Sequence, residues 1–188
     1  MNNWHIREAL RQLAAGGIIA YPTETVYGLG CNPWDGTAVL RLLALKRRHL
    51  EQGVILIADE FARLEPLLFP VSSPVRRRVT TPRSRPVSWV LPCTPEIPEW
   101  LRGNHPSLAV RLATHPIAIE LCRQWEGPLV STSANIHGRA PARSPLAVRK
   151  AFGNRLDYIL HGSCGSGRPS EIRDALSGRI LRNAGGQG

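Results

Sequence analysis

The chain has 188 residues, 43% of them apolar and 20% charged, the balance of a globular domain and not of a disordered chain. No apolar run approaches the roughly 18 residues of a membrane span. The first residues have neither the apolar core nor the cleavage pattern of an export signal, so a cytoplasmic protein is expected. Lys plus Arg number 24 against 14 Asp plus Glu, a formal charge of +10, which favours an anionic partner such as a nucleotide or a nucleic acid.

Cys31, Cys93, Cys122 and Cys164 lie far apart and form no C-x-x-C pair. Neither a zinc site nor a disulfide framework is expected from them. The six histidines show no metal spacing either, and no metal ligand is assigned.

Asn2 or Asn3 can cap a first helix with Ile6, Leu10, Leu13 and Ala14 on one face, ended by Gly16-Gly17. Ile18–Tyr21 reads as a strand that stops at Pro22, which has no N–H for a ladder. A polar loop follows, with Thr23, Glu24, Thr25, Gly28 and Gly30, ending at Cys31. Its place at the end of a buried strand suits either a tight exit turn or a ligand site. Asp35 caps a second helix to about Arg47, with Val39, Leu42 and Leu43 inward. The cations Lys46 to His49 at its C-terminal end suit the helix dipole.

Val54–Ala58 is a continuous apolar run, hence a central strand. Asp59 heads a short helix with Phe61, Leu64 and Leu67. Pro70–Pro86 is poorly patterned and carries Arg76, Arg77, Arg78, Arg83 and Arg85. That run is either a solvated basic face or a patch for a nucleic-acid backbone. Val87–Leu91 is a strand, Pro95–Leu101 one or two helical turns, and Leu108–Leu112 a strand with Arg111 inside an apolar pattern. Pro116 starts a helix containing Ile119, Leu121 and Cys122. Pro128–Val130 is a short strand that runs into Ser131–Asn135. Ser144-Pro145 opens a helix to Phe152, and Tyr158–Leu160 is a strand. A Gly/Ser-rich stretch, 162–169, suits a mobile lid. Ser170–Asp174 follows, then a last strand, 179–182, and a frayed tail at 185–188. The interspersed strands and helices make the class α/β, one domain over residues 1–188 around a single mixed sheet.

Hydroxyls and basic groups thus recur at strand ends: Thr23, Lys46 and Arg48, Ser107 and Arg111, Ser131 to Asn135, Ser170 and Arg182. No phosphate-loop or dinucleotide fingerprint is present. Such a set suits a phosphate chain, whose transfer needs positioning and charge neutralisation more than a protein nucleophile. A buried Arg111 requires an anion, either a protein carboxylate or a ligand's.

Five segments, in this order, resemble the YrdC family. They are Tyr-Pro-Thr-Glu-Thr-Val-Tyr-Gly-Leu-Gly-Cys at 21–31, the K-x-R pair Lys46/Arg48, Ser-Leu-Ala-Val-Arg at 107–111, the S-x-N pair Ser133/Asn135, and Pro-Ser-Glu-Ile-Arg-Asp at 169–174. The resemblance implies an open α/β fold with a twisted, mixed sheet and a concave, positively charged site. It implies that L-threonine and bicarbonate give N-carboxy-threonine, which attacks the α-phosphorus of ATP. The products are L-threonylcarbamoyladenylate and pyrophosphate. A partner transfer protein then carries the threonylcarbamoyl group to adenosine 37 of tRNA; direct binding of tRNA or double-stranded RNA is a further expectation.

By the same resemblance Lys46, Arg48, Ser133 and Asn135 form the catalytic, phosphate-contacting tetrad. Thr23, Arg111, Ser131 and Ser170 fall at the threonine contacts, with Arg111 on the carboxylate. Ser107 and Arg182 fall at nucleotide contacts, and Mg²⁺ rides in on the phosphates of ATP. The pattern departs at His49, where relatives usually have Pro, at Gln52-Gly53, at Ser84–Ser88 in place of Pro-Gly-Pro-x-Thr, and in the strand Val54–Ala58, which lacks a His. The resemblance is to the short branch of the family, without a second C-terminal domain. Two rivals remain: an RNA-binding module without chemistry, and a carbamoyl-adenylating domain like those of hydrogenase-maturation proteins.

Overall fold

The computed structural model describes residues 3–165 and 170–182. Six helices are present among them: α1 (Asn3–Ala14), α2 (Gly36–Lys46), α3 (Ser73–Thr80), α4 (Glu99–Arg102), α5 (Pro116–Trp125) and α6 (Pro145–Phe152). The strands are β1 (Ile19–Pro22), β2 (Tyr27–Gly30), β3 (Ile55–Ala58), β4 (Val87–Pro92), β5 (Ser107–Leu112), β6 (Leu129–Ser133), β7 (Tyr158–Ile159), β8 (Glu171–Asp174) and β9 (Ile180–Arg182). They form one sheet in the order β7-β1-β2-β6-β3-β5-β4-β8-β9. The pairs β1–β7, β3–β5 and β4–β8 run parallel and the other neighbours antiparallel. The sheet is therefore mixed, as expected.

Five segments differ from the sequence expectation. The loop after Tyr21 turns back as β2, so residues 23–26 are a hairpin turn. Pro22 closes β1 opposite Tyr27, beyond Ile19 and Ala20, which alone pair with β7; its missing N–H therefore leaves no gap in that ladder. Ser73–Thr80 is a helix, with Pro in its first turn and Val75 and Val79 buried one turn apart. Only two apolar residues mark that face, and the arginines between them hid the period. The strand after Pro128 runs on through Ser133, and Glu171–Asp174 is a strand parallel to β4. The region expected as one short helix after Asp59 is instead two 3-10 turns, Phe61–Arg63 and Glu65–Leu67. Residues 1–2, 166–169 and 183–188 lie outside the described set, and with them the Asn2 cap, part of the suggested lid and the C-terminal tail.

The sheet separates two cores. On one face, Ile19, Tyr21, Ile57 and Leu129 pack with Ile6, Ala9 and Leu13 of α1 and Leu121 and Cys122 of α5. On the other, Ala20, Leu29, Leu56 and Ala58 pack with Val39, Leu42 and Leu43 of α2 and Val75 and Val79 of α3. The alternation along Ile19-Ala20-Tyr21 and Leu56-Ile57-Ala58 is the two-residue period of a strand buried on both sides. All four cysteines are free thiols, and Cys31, Cys93 and Cys122 are buried. No described helix is long and apolar enough to cross a membrane.

Candidate active site

Helices α1 and α5 cover only part of their face of the sheet. In register with Tyr21 come Gly28 and then Ser133; in register with Ile55 come Ala109 and Ser131. These positions share the face of Tyr21 and Ile57, yet most carry small side chains. They floor a cavity of about 720 Å³, within the ordinary range of ligand sites. Gly28 and Gly30 are needed for space. A Cβ on Gly30 would lie 2.6 Å from the Val130 carbonyl and 2.9 Å from the Tyr21 ring. A Cβ on Gly28 would lie 3.0 Å from Cγ2 of Thr23, in the cavity wall.

The K-x-R pair is produced by the end of α2. Asp35 caps the helix, its Oδ1 accepting from Ala38 N at 3.0 Å. Lys46 continues the inward stripe Val39, Leu42, Leu43 and is only 4% exposed. Arg47 then takes the left-handed conformation, φ 54° and ψ 44°. The Arg47 N–H bonds to Ala44 O and the Arg48 N–H to Leu43 O, each at 3.0 Å, a Schellman ending. Lys46 and Arg48 are thereby set on the cavity while Arg47 is exposed. The dipole reading of this cluster gives way to a structural placement.

Lys46 Nζ donates to the Ser133 carbonyl, to the Asn135 carbonyl at 2.7 Å and to Asn135 Oδ1 at 3.3 Å. Ser133 Oγ donates to the same Oδ1 at 2.5 Å, and Asn135 Nδ2 donates to Arg139 O at 2.8 Å. The K-x-R and S-x-N segments are thus one hydrogen-bonded unit. Burial, followed by the charge of Arg48, pushes the Lys46 ammonium down to about 7. The three oxygens act the other way, because a neutral amine offers only two N–H groups. Lys46 thus ties the end of α2 to the Ser133–Asn135 segment as well as lining the site.

Arg48 donates to Gly53 O at 3.0 Å, but its buried Nε has no partner. Burial and then the neighbouring Arg182 lower its pKa; burial lowers that of Arg182. Arg111 lies beside Ile57 on β3, and its buried Nε also has no partner. No ion pair to a protein carboxylate closes on it among the described residues, so the internal salt bridge left open above is not formed. Thr23 is buried; its hydroxyl donates to Val26 O at 2.6 Å and accepts from Thr25 N at 3.5 Å, leaving one oxygen lone pair for a ligand. Ser131 is 2% exposed and Ser170 sits on the wall.

The cavity therefore gathers Thr23, Lys46, Arg48, Arg111, Ser131, Ser133, Asn135, Ser170 and Arg182. Ser107 is the exception. It starts β5 opposite Pro92, two residues before Ala109, and is not part of the wall. Arg139 and His137 line the mouth and were not singled out from the sequence, where they fall in an unpatterned loop. Among the described residues five cations line the wall, Lys46, Arg48, Arg111, Arg139 and Arg182, and no Asp or Glu does. Like charges gathered in a concavity call for anions. No described group of three His, Cys, Asp or Glu side chains could hold a metal ion, so these residues do not fit a resident Mg²⁺.

Two further expectations change. Gly162 O accepts from the Tyr27 hydroxyl at 2.8 Å, Ser163 O is 3.0 Å from His115 Nε2, and Gly165 N donates to Thr23 O at 3.1 Å. The described part of the suggested lid is thus bound to the Thr23 turn, away from Lys46 and Arg48. In α3, Arg76 is paired with Glu65 at 2.9 Å and lies over Phe61, while Arg78 donates to Ala175 O and Leu176 O at 2.6 and 2.5 Å. Two of the three consecutive arginines are committed within the fold.

A family model named Sua5_yciO_yrdC and described as telomere recombination matches residues 11–184. The chain belongs to this family. Within the Sua5/YciO/YrdC family it is 49% identical over 181 residues to the threonylcarbamoyl-AMP synthase of Nitrosococcus oceani, covering 96% of this chain and 98% of that protein. Among solved structures it is similar to that of P. abyssi Sua5 complexed with L-threonine, with a TM-score of 0.86 and 31% identity over 93% of this chain. The match spans about half of that longer protein, 52%. It is also similar to YciO of E. coli, with a TM-score of 0.82 and 26% identity, covering 96% of this chain and 89% of the other. The mixed, nine-stranded sheet is that of the family.

Proposed function

We propose that this chain is a threonylcarbamoyl-AMP synthase serving the threonylcarbamoyladenosine modification of tRNA. The observation that carries this reading is one carboxylate-free cavity lined, among the described residues, by five cations. Lys46, Arg48, Ser133, Asn135 and Arg182 suit a polyphosphate, and Thr23, Arg111, Ser131 and Ser170 suit an amino acid. The kinship with threonylcarbamoyl-AMP synthases and the L-threonine complex of P. abyssi Sua5 support the same assignment.

Arg111 grips the threonine carboxylate with its planar fork, since a half-buried guanidinium whose buried Nε has no partner favours an anion. Thr23 accepts from the amino group, because its hydroxyl proton is already given to Val26. Bicarbonate and the amine condense to the carbamate with loss of water. A carbamate oxygen then forms a bond to the α-phosphorus as the bond from that phosphorus to the bridging oxygen breaks. Pyrophosphate leaves with the electron pair. Arg48 and Arg182 neutralise the departing charge, and the Lys46–Ser133–Asn135 unit fixes the phosphate chain; positioning and charge are what this transfer requires. Mg²⁺ enters with ATP as part of the substrate, held by the phosphates. The labile adenylate passes to a partner protein that modifies tRNA.

The test is pyrophosphate release from ATP, Mg²⁺, bicarbonate and L-threonine. Release that depends on threonine is expected; release indifferent to threonine, or none, overturns the reading.

A further inference from the structure

Thr23 and Arg111 stand on elements that do not pair directly in the sheet. Thr23 follows β1 and Arg111 is on β5, and β2, β6 and β3 lie between those strands. An amino acid held by both needs their separation fixed to a fraction of an ångström. One side chain spans the gap. Glu24 Oε1 accepts from Thr114 N at 2.8 Å, from Thr114 Oγ1 at 3.1 Å and from His115 N at 3.0 Å. Thr114 lies two residues past the end of β5, three beyond Arg111. Glu24 itself does not line the cavity, whereas Thr23 and Thr25 on either side of it do.

The backbone of the same turn is held from its other side. Gly165 N donates to Thr23 O, and a Cβ on Gly165 would stand 2.2 Å from Glu24 O. His115, whose N–H reaches Glu24, also contacts Ser163 O through its ring. The Thr23–Glu24 peptide is thus enclosed between the turn after β5 and the 163–165 strap. Burial pushes the Glu24 carboxyl up, but Arg111 and the Thr114 and His115 N–H groups outweigh it and hold the group below its ordinary value. The anion is the form that the surroundings favour.

We propose that Glu24 is a positioning residue for the amino-acid end of the cavity: it touches no substrate, and its carboxylate sets the span from Thr23 to Arg111 by tying the turn after β1 to the turn after β5. This rests on the synthase reading above. A residue that merely stabilised the fold would affect threonine and ATP alike. A span-setting residue affects threonine alone.

The experiment measures pyrophosphate release for the wild type, Glu24→Gln and Glu24→Ala, varying L-threonine and ATP separately, with a melting curve for each. For Glu24→Ala the KM for threonine is expected to rise about tenfold or more, the scale of lost charge-assisted hydrogen bonds, with the KM for ATP within about twofold. Glu24→Gln keeps the volume and one acceptor oxygen and is expected to lie between. It carries the test alone if Glu24→Ala does not fold. A KM for threonine within about twofold of wild type overturns the proposal, and so does an equal rise in both KM values. A wild-type enzyme without threonine-dependent release overturns the synthase reading instead, before any variant is made.

Discussion

Lys46 meets Asn135 twice, through the main-chain carbonyl at 2.7 Å and through Oδ1 at 3.3 Å. The second contact shares its oxygen with Ser133 Oγ. Two motifs 87 residues apart therefore work as one unit, and deleting either partner strands the other. Lys46→Ala and Asn135→Ala are each expected to lower kcat/KM on the order of 100-fold, as loss of one preorganised donor does. The double variant should lose little more than either single one, because groups that act together are not additive. Steady-state kinetics of the three variants provides the measurement. Multiplying losses would mean that the contacts are independent.

Proton uptake tests the electrostatics of the same residue. Lys46 sits near 7, low for an ammonium because of burial and then Arg48. A bound polyphosphate favours the charged form and raises that value. Between pH 7 and 9 the free site is increasingly neutral and the occupied site is not. ATP binding should therefore take up protons in that window, and affinity should weaken as pH rises through it. Below about pH 6 both states are protonated and uptake should vanish. Calorimetry in two buffers of different ionisation enthalpy measures this directly. Lys46→Met should abolish the uptake.

Arg111 separates charge from geometry. Its guanidinium is the one cation expected on the threonine carboxylate, and two parallel hydrogen bonds need its planar fork. Arg111→Ala is expected to raise the KM for threonine by roughly 100-fold or more, in line with the ~2–5 kcal/mol for truncating one partner of a buried charge pair. Arg111→Lys keeps the charge and loses the fork, so it should recover only part of that loss. The KM for ATP should move little in either variant. Titrations of each substrate at saturating levels of the other distinguish the two ends of the cavity.

Much of this site was legible because each residue broke a local rule. Lys46 falls on the apolar stripe of α2, and Arg111 falls inside an apolar strand. Both are expensive places for a charge, and both face the cavity. Ser131 and Ser133 put hydroxyls on a strand whose inward positions are otherwise apolar, and Thr23 puts one in the turn directly after a buried strand. Other features left no such mark. β2 was hidden because two of its four residues are glycines, present for the Tyr21 ring and for Thr23 and not for a turn. α3 was hidden because its buried face is only Val75 and Val79. The role of Glu24 rests on its oxygen meeting the turn after β5. That contact spans 90 residues, which no local pattern reports. Ser107 does not line the cavity, because it stands at the start of β5, two residues before Ala109.

The arginine run of α3 offers a test of fold against surface. Arg78 donates to Ala175 O and Leu176 O, closing α3 onto the turn after β8. Arg78→Ala leaves two carbonyls without their donor and should cost about 1–3 kcal/mol. Arg77 is exposed, has no such bond, and Arg77→Ala should fall within about 0.5 kcal/mol of wild type. Urea unfolding of the two variants gives the comparison. If Arg77→Ala is the more damaging, the assignment of roles within the run is reversed.

Arg47 is the counterpart of its two neighbours, a residue whose side chain the site does not use. It alone between Lys46 and Arg48 is left-handed, φ 54°, and a Cβ there costs roughly 1–2 kcal/mol. Glycine removes that cost but adds entropy to the unfolded chain, about 0.5–1 kcal/mol. The balance favours Arg47→Gly by a few tenths to about 1 kcal/mol, or a melting temperature higher by up to roughly 4 °C in a chain of this size. The Schellman bonds from residues 47 and 48 are made by the backbone and survive the change, so Lys46 and Arg48 keep their places and kcat/KM should hold within about twofold. Differential scanning calorimetry with the pyrophosphate assay reads both quantities. A large loss of activity at unchanged stability would mean that the Arg47 side chain itself meets the substrate, which its outward placement argues against.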